Sequence, residues 1–316
     1  MKVLISILIT IIGFNISYSQ ETLPIYTDYL TDNIYLIHPS AAGISDISKL
    51  RVTARKQWLD YKKAPSLQTL TFHTSLDENS AIGAAFFNDS NGHFSQIGGQ
   101  ISYAYHLSFD DREINQLSFG LSLLLINNSL DGRKYELVDT DVKYSLINSN
   151  YFNSDVSFAY RRKGLYTFYT VKNIAEIKNK LYDNENQNSN LRRHLLTLGY
   201  QFNSGKDFFK FEPSAMFQIV EATQEKFIDV NLKFIIPLNK SELWMGLSYR
   251  NSFNNNEIQA LNSITPFLGI KFKNIVGSYS YSNQFGENTF SSAGFHQVSI
   301  GYNFIKSHYR KATWDL

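Results

Sequence analysis

Seven histidines and no cysteine are what this chain offers metal or nucleophile chemistry. Without a thiol there is no thiolate catalysis, no zinc–thiolate site and no disulfide. The histidines are scattered, with no His-x-x-x-His or His-Glu-x-x-His spacing to set two imidazoles on one helix face. No glycine-rich phosphate loop and no Gly-x-Ser-x-Gly elbow occurs. His73 and His106 fall on polar faces and read as satisfied interior groups. Arg55 and Gln57 share a face, so a guanidinium could meet carboxylates or carbonyls there; Asp229 and Glu212 are the acids expected to answer Arg55. A Ser/His lipid hydrolase stays open in principle, because such groups assemble in space rather than in sequence.

The elements that must position these side chains are strands. The chain has 316 residues, 18% charged and 15% aromatic, with a net charge of +2. That surplus is too small for a nucleic-acid groove. Met1-Lys2, an apolar run to Ile16 and Ser17-Tyr18-Ser19 describe a signal peptide over 1–19. No later stretch is apolar for the roughly 20 residues a spanning helix needs. What recurs is alternation: Ile101, Tyr103, Tyr105 and Leu107 interleave with Gln100, Ser102, Ala104 and His106. The same holds for Leu117 to Leu125, Leu196 to Phe202, Ile228 to Ile236, Leu243 to Tyr249 and Val298 to Phe304. Period two gives each strand one apolar and one polar face.

Fourteen such segments are counted, at about 50–58, 66–75, 81–88, 97–108, 116–126, 155–162, 165–172, 194–202, 208–220, 226–236, 242–250, 263–272, 275–282 and 295–304. Most approach the roughly 9 to 11 residues of a tilted membrane strand. Alternate connections are short, while the long loops 127–154, 173–193, 251–262 and 283–294 share the other parity. Such segregation predicts an all-β, up-and-down antiparallel transmembrane barrel over 50–304, with short turns on the periplasmic side. A soluble β-sandwich is the competing fold. Pro213 and Pro266 lie inside proposed strands, where a missing donor implies a bulge or a strand start. Residues 20–49 lack alternation but are apolar and aromatic, and are expected to pack in or under the barrel as a plug. The tail 305–316 is expected to stay in the periplasm, and Trp58 to sit in an aromatic girdle.

An ordered series carries a resemblance. It runs Pro24-Ile25-Tyr26, Tyr29, Asn33, Pro39-Ser40-Ala41-Ala42-Gly43, Arg55-Lys56-Gln57-Trp58, Ala64-Pro65, Gly83, Asn88-Asp89-Ser90-Asn91-Gly92, Tyr103-Ala104-Tyr105 and Leu117-Ser118-Phe119-Gly120-Leu121. In these the sequence resembles the PorP/SprF family of type IX secretion system outer-membrane proteins of the Bacteroidota. His38 departs from the Asn usual before the proline, and Lys63 from the Gly usual before Ala-Pro, which puts the detail of those turns in doubt. The resemblance implies a barrel without enzymatic activity or cofactor. Its implied partners are type IX cargo, such as the carboxy-terminal domain of a surface adhesin of gliding motility, and a periplasmic peptidoglycan-associated lipoprotein or other type IX components. Outer-membrane lipid would surround it. Tyr26, Tyr29, Asn33, Pro39, Gly43, Arg55, Gln57, Trp58, Pro65, Asp89 and Gly92 are the candidate motif and lumen residues. A porin-like solute channel is the alternative, since the lumen-facing set Gln100, Ser102, Lys210, Glu212, Asn231 and Gln297 is polar enough for water.

Overall fold

In the computed structural model the strands run β1 (Lys49–Gln57), β2 (Ser66–Ser75), β3 (Ser80–Asn91), β4 (Phe94–Ser108), β5 (Asn115–Asp131), β6 (Leu146–Arg162), β7 (Leu165–Lys172), β8 (Arg193–Tyr200), β9 (Phe202–Asn203), β10 (Lys210–Val220), β11 (Lys226–Leu238), β12 (Ser241–Phe253), β13 (Asn262–Phe272), β14 (Ile275–Phe285) and β15 (Phe295–Asn303). The structure describes residues 27–45, 47–57, 64–109, 115–131, 146–175, 192–203, 209–221, 224–253, 262–285 and 294–304. The proposed signal peptide, the tail 305–316, Tyr26 and Trp58 lie outside them.

Each strand pairs antiparallel with its sequence neighbour, and β1 also pairs with β15, from Lys49↔Asn303 to Gln57↔Phe295, which closes the sheet. β8 and β9 are two parts of one stave interrupted at Gln201, so the barrel has fourteen staves. Closure leaves no edge within the membrane, where an unpaired backbone group has no water to turn to. Burial is inverted relative to a soluble domain. Ile101, Leu125 and Ile300 are each more than 60% exposed, while Gln100, Ser118, Ser157 and Gln297 are buried. The apolar row is therefore the outer face and the polar row the inner one. Outward rings band both ends. Tyr200, Phe202, Phe211 and Phe234 touch in sequence near the short turns, and Tyr249–Phe285 and Tyr281–His296 near the long loops. Such girdles mark the two interfaces of a bilayer.

The prolines behave differently from expectation. Pro213 pairs in register with Leu232, and the pairings on both sides of it keep one continuous register with β8 and β9. The neighbouring stave is interrupted at Gln201, next to Tyr200, the residue that the register sets opposite the proline. Pro266 pairs with Leu247 and breaks the ladder to β14 locally, with the same register resuming at Phe267↔Ser280. Neither makes a bulge. The strands are also longer than alternation suggested. β5 and β6 each have 17 residues, so half of the expected 127–154 loop is paired strand. Asn and Ser in those extensions blur the apolar–polar contrast on which alternation depends.

Candidate functional site

Residues 27–45 thread the lumen as three short 3-10 turns, Asp28–Thr31, Ile34–Leu36 and Pro39–Ala41. Their apolar side chains seat on three parts of the wall. Leu30 meets Ile235, Trp244, Phe267 and Val276; Ile37 meets Leu195 and Met216; Tyr35, Ala41, Ala42 and Ile44 join Ala81, Ala85, Ala104, Ala159, Tyr166 and Phe168. A segment this short cannot form its own core, so burial must come from a wall that leaves room for it.

That room is made by small residues. A Cβ at Gly83 would lie 2.4 Å from the Tyr35 ring, and one at Gly120 2.3 Å from the Ser40 nitrogen and 2.6 Å from the Pro39 carbonyl carbon. Gly43 combines both demands: its φ of +63° suits glycine, and an added Cβ would meet Ala81 at 2.4 Å. Its N–H donates to His73 Nδ1 at 3.0 Å, and its carbonyl accepts from Ser75 Oγ at 3.1 Å. The Tyr35 hydroxyl donates to Ser102 Oγ at 3.0 Å, and burial pushes the phenol up to about 12, so it stays neutral. His106 bridges Ser118 Oγ and the Ala42 carbonyl, each at 2.8 Å.

His38, fully buried, joins two wall hydroxyls, Thr170 at 2.7 Å from Nδ1 and Thr197 at 2.9 Å from Nε2. Thr170 donates onward to Ser157 Oγ at 2.7 Å, which also meets Ser40 Oγ at 2.7 Å. With the Thr170 proton so committed, its oxygen accepts from Nδ1–H, and Nε2 is left to accept from Thr197. Burial, with the nearby Lys172 charge, drives the imidazole down to about 3, so it is neutral at physiological pH. The departure at position 38 thus concerns the wall and not the turn: the side chain makes no cap bond to Pro39–Ala41.

Charge holds the plug elsewhere. Asp32, at φ +66°, receives Lys49 Nζ at 3.1 Å and Arg51 NH2 at 2.5 Å. Burial alone would raise its carboxyl, but Lys49, Arg51 and the Arg51 hydrogen bond outweigh that and hold it well below the usual carboxylate range. Arg51 also donates to Asn303 Oδ1 at 2.6 Å, tying the plug to the seam where β1 meets β15. Lys172 Nζ donates to the Leu36 carbonyl at 3.2 Å, Arg161 to the Ile44 carbonyl at 3.1 Å, and Thr27 Oγ1 to Gln297 at 2.6 Å.

The candidate residues divide into two groups. Asn33, Pro39 and Gly43 belong to the plug, with Asn33 Oδ1 accepting from Thr71 at 3.2 Å, and Tyr29 falls in the first 3-10 turn. Arg55, Gln57, Pro65, Asp89 and Gly92 sit at the long-loop rim. Arg55 and Asp89 share one inner row on β1 and β3, either side of Leu67. The Pro65 carbonyl accepts the Gln57 N–H at 2.9 Å, and Gly92 turns β3 into β4 at φ +62°. The acid whose charge Arg55 meets is Asp89, on the same inner row. The Arg55 guanidinium lies over the Phe295 ring at 5.6 Å, while Asp229 is held by Arg250 and Glu212 by Tyr166 at 2.7 Å. A position's face can be read from alternation; which acid stands opposite across a barrel cannot. Sequence reasoning missed Asp32, and met Tyr35, His38 and Ser40 only as members of the amino-terminal stretch, without a partner on the wall. The signal present was their density in a segment without alternation.

A pocket between plug and wall, lined by Leu30, Asp32, Tyr166, Glu212, Lys233 and Phe267 among others, encloses about 20 Å³, room for one water. Among the described residues no group of three His, Asp or Glu side chains could hold a metal ion.

Compared with known proteins, the family described as type IX secretion system membrane protein PorP/SprF matches residues 18–302. No curated protein matches. Solved structures similar in fold include the CymD monoaromatic hydrocarbon channel, at 10% identity and a TM-score of 0.50, covering 84% of this chain and 89% of that one. Others are the β domain of the Bordetella autotransporter BrkA, at 13% identity and 0.45 (82% and 98% covered), and BamA from Haemophilus ducreyi lacking POTRA domains 1–3, at 8% and 0.44 (81% and 70%).

Proposed function

Since this chain belongs to the PorP/SprF family of type IX secretion system membrane proteins, a component of that system in the outer membrane, we propose that it binds and holds cognate secreted cargo, such as a surface adhesin, at the cell surface. In this reading the short-turn end, where Lys49 starts the barrel, faces the periplasm and the long loops face outward. The plug would be laid down after signal-peptide removal. The periplasmic end would be free to meet a peptidoglycan-associated lipoprotein or other type IX components.

What favours attachment over permeation is the lumen. The barrel's own residues 27–45 are hydrogen-bonded to β1, β2, β6, β7, β8 and β15, and Leu30 packs on β11 to β14. Polar side chains such as Gln100 and Ser102 that could have lined a water path are turned to each other and to Tyr35. The rims and loops then remain as working surfaces, as is usual for loops on a rigid scaffold.

Deleting the gene should remove one cognate cargo from the cell surface while other type IX cargo is still exported. Normal display of every cargo in that strain would overturn the proposal. Purified barrel in a planar bilayer should be silent; a steady open conductance would favour a solute channel instead.

A further inference from the structure

Two histidines on the outward face near the long loops, His194 on β8 and His296 on β15, are each set by a tyrosine of the preceding stave. The Tyr169 hydroxyl lies 2.8 Å from His194 Nδ1, and the Tyr279 hydroxyl 2.7 Å from His296 Nδ1. The paired rings have centroids 6.2 and 6.1 Å apart. In both pairs the tyrosine occupies Nδ1 and leaves Nε2 for another group.

At His194 that other group is a carboxylate. Glu221 Oε1 lies 2.6 Å from Nε2, and Glu221 Oε2 accepts from Arg192 Nη1 at 3.1 Å. A carboxylate can only accept, so Nε2 carries the proton and Nδ1 accepts from Tyr169. An imidazole N–H and a cation thus close on one anion, with charge-assisted bonds from two sides.

At His296 the same two donors recur. Lys56 of β1 stands directly opposite His296 in the ladder. Each is the last outward residue of its strand, beyond Val52 and Ala54 on β1 and beyond Ile300 and Val298 on β15. Directly opposed residues hold their Cβ atoms about 5 Å apart, so the ammonium and Nε2 address one point. The Tyr281 ring backs the imidazole at 4.8 Å. Among the described residues no carboxylate bonds either group, and Tyr279 is their hydrogen-bonding partner.

The face decides what reaches that point. Val52 is 51% and Val298 45% exposed, so the rows leading up to the pair face hydrocarbon. The aromatic girdle marks headgroup depth, where a charge on the lipid face is tolerated as it is not at the midplane. The anionic group that a membrane lipid carries at this depth is its phosphate.

We propose that Lys56 and His296 form a binding site for the phosphate of a lipid headgroup in the leaflet at the long-loop end. The phosphate takes the place that Glu221 holds at His194: one oxygen accepts from His296 Nε2–H and another from the Lys56 ammonium.

Native mass spectrometry of the full-length barrel in a neutral sugar detergent, mixed with short-chain phosphatidic acid, tests this. One lipid per barrel should be retained, and diacylglycerol of the same chains, which lacks the phosphate, should not. Lys56→Gln with His296→Gln should lower retention about tenfold or more, as expected for two lost bonds to a charged group. Lys226→Gln removes another outward lysine of the same rim, one flanked by Ile219 and Phe253 and by no histidine; it should retain the lipid as the wild type does. Unchanged retention in the double variant, or equal loss in Lys226→Gln, would overturn the proposal, the second because any rim cation would then suffice. Inorganic phosphate in large excess should leave the lipid in place; its displacement would make this a site for free phosphate and overturn the lipid assignment. Should the double variant fail to assemble, as read by heat-modifiable migration, His296→Gln alone is decided by the same comparison with Lys226→Gln.

Discussion

Replacing Asp32 by Asn should loosen the plug by an amount that can be worked from its contacts. The carboxylate is only 16% exposed and faces two cations, Lys49 at 5% and Arg51 at 1%. Removing one member of a buried ion set leaves the rest uncompensated, at about 3–5 kcal/mol. Arg51 keeps Asn303 and the Leu50 carbonyl, so the lower figure applies. About 3 kcal/mol is roughly a 150-fold rise in the undocked fraction at 1.36 kcal/mol per decade. The chain has no cysteine, so Ser102→Cys creates a single thiol under the Tyr35 hydroxyl. When docking is fast, maleimide labelling of that thiol tracks the undocked population. Labelling in the Asp32→Asn barrel should therefore run about 100-fold faster than in the Ser102→Cys parent. Labelling within threefold of the parent, in a barrel that still migrates as folded, would mean that the Asp32 cluster does not hold the plug.

His38 should make docking sensitive to acid. Its pKa is pushed from 6.5 to about 3, so the undocked state binds more protons between those values and docking weakens as pH falls. At pH 5 the loss is about 2 kcal/mol, or about 30-fold in labelling of the Ser102→Cys thiol after normalising to an unplugged control. His38→Gln should reduce that dependence without abolishing it, because His73 Nδ1 accepts the Gly43 N–H and its protonation in acid would also loosen the plug. Asp32 adds nothing at pH 5. A carboxyl held below its ordinary value gives stability that is complete above about pH 4 and lost only as pH falls further. Gly120→Ala should displace the plug more than Gly83→Ala, read as bilayer conductance, because its Cβ meets backbone of Pro39 and Ser40 while that at Gly83 meets only the Tyr35 ring. Deleting 27–45 should turn a silent barrel into a steady pore; a silent deletion barrel would show that something other than the plug closes the lumen.

The barrel was legible because lipid imposes a simple rule. Every second residue of a membrane strand meets hydrocarbon, so the rows Leu117–Leu125 and Val298–Phe304 announce themselves, and the parity of loop lengths orders the staves. Where strands leave the bilayer the rule lapses. Asn127, Asn128, Ser129, Asn148 and Asn150 are paired as regularly as the rest, yet neither face is apolar, and they read as loop. The plug was legible only as an anomaly, a Tyr-, Pro- and Ala-rich stretch with nowhere to go. Its partners were not, because Gly83, Gly120, Thr170 and Thr197 matter for what they leave space for or offer to a segment distant in sequence. Partners that reach past a neighbouring stave, such as Tyr166 of β7 for Glu212 of β10, depend on register across several strands, which no local pattern encodes.

β6 joins the two halves of this design. On its inner face Ser157 receives Ser40, and Asp155 lies 3.7 Å from Lys172, whose ammonium holds the Leu36 carbonyl. On its outer reach, from Leu146 to Phe152, it continues the ladder with β5. A wall that served only to enclose a plug would need no strand beyond Val156, since β7 stops there and the lumen contacts of β6 lie at or below Asp155. The further ten residues of β6, with the matching ends of β4 and β5, order a chain that solvent would otherwise keep disordered, at about 1–2 kcal/mol of backbone entropy per residue. Cross-strand amide pairs such as Asn127–Asn150 return part of that cost. What they build is a wall of β4, β5 and β6 that stands beyond the plug contacts at the long-loop end.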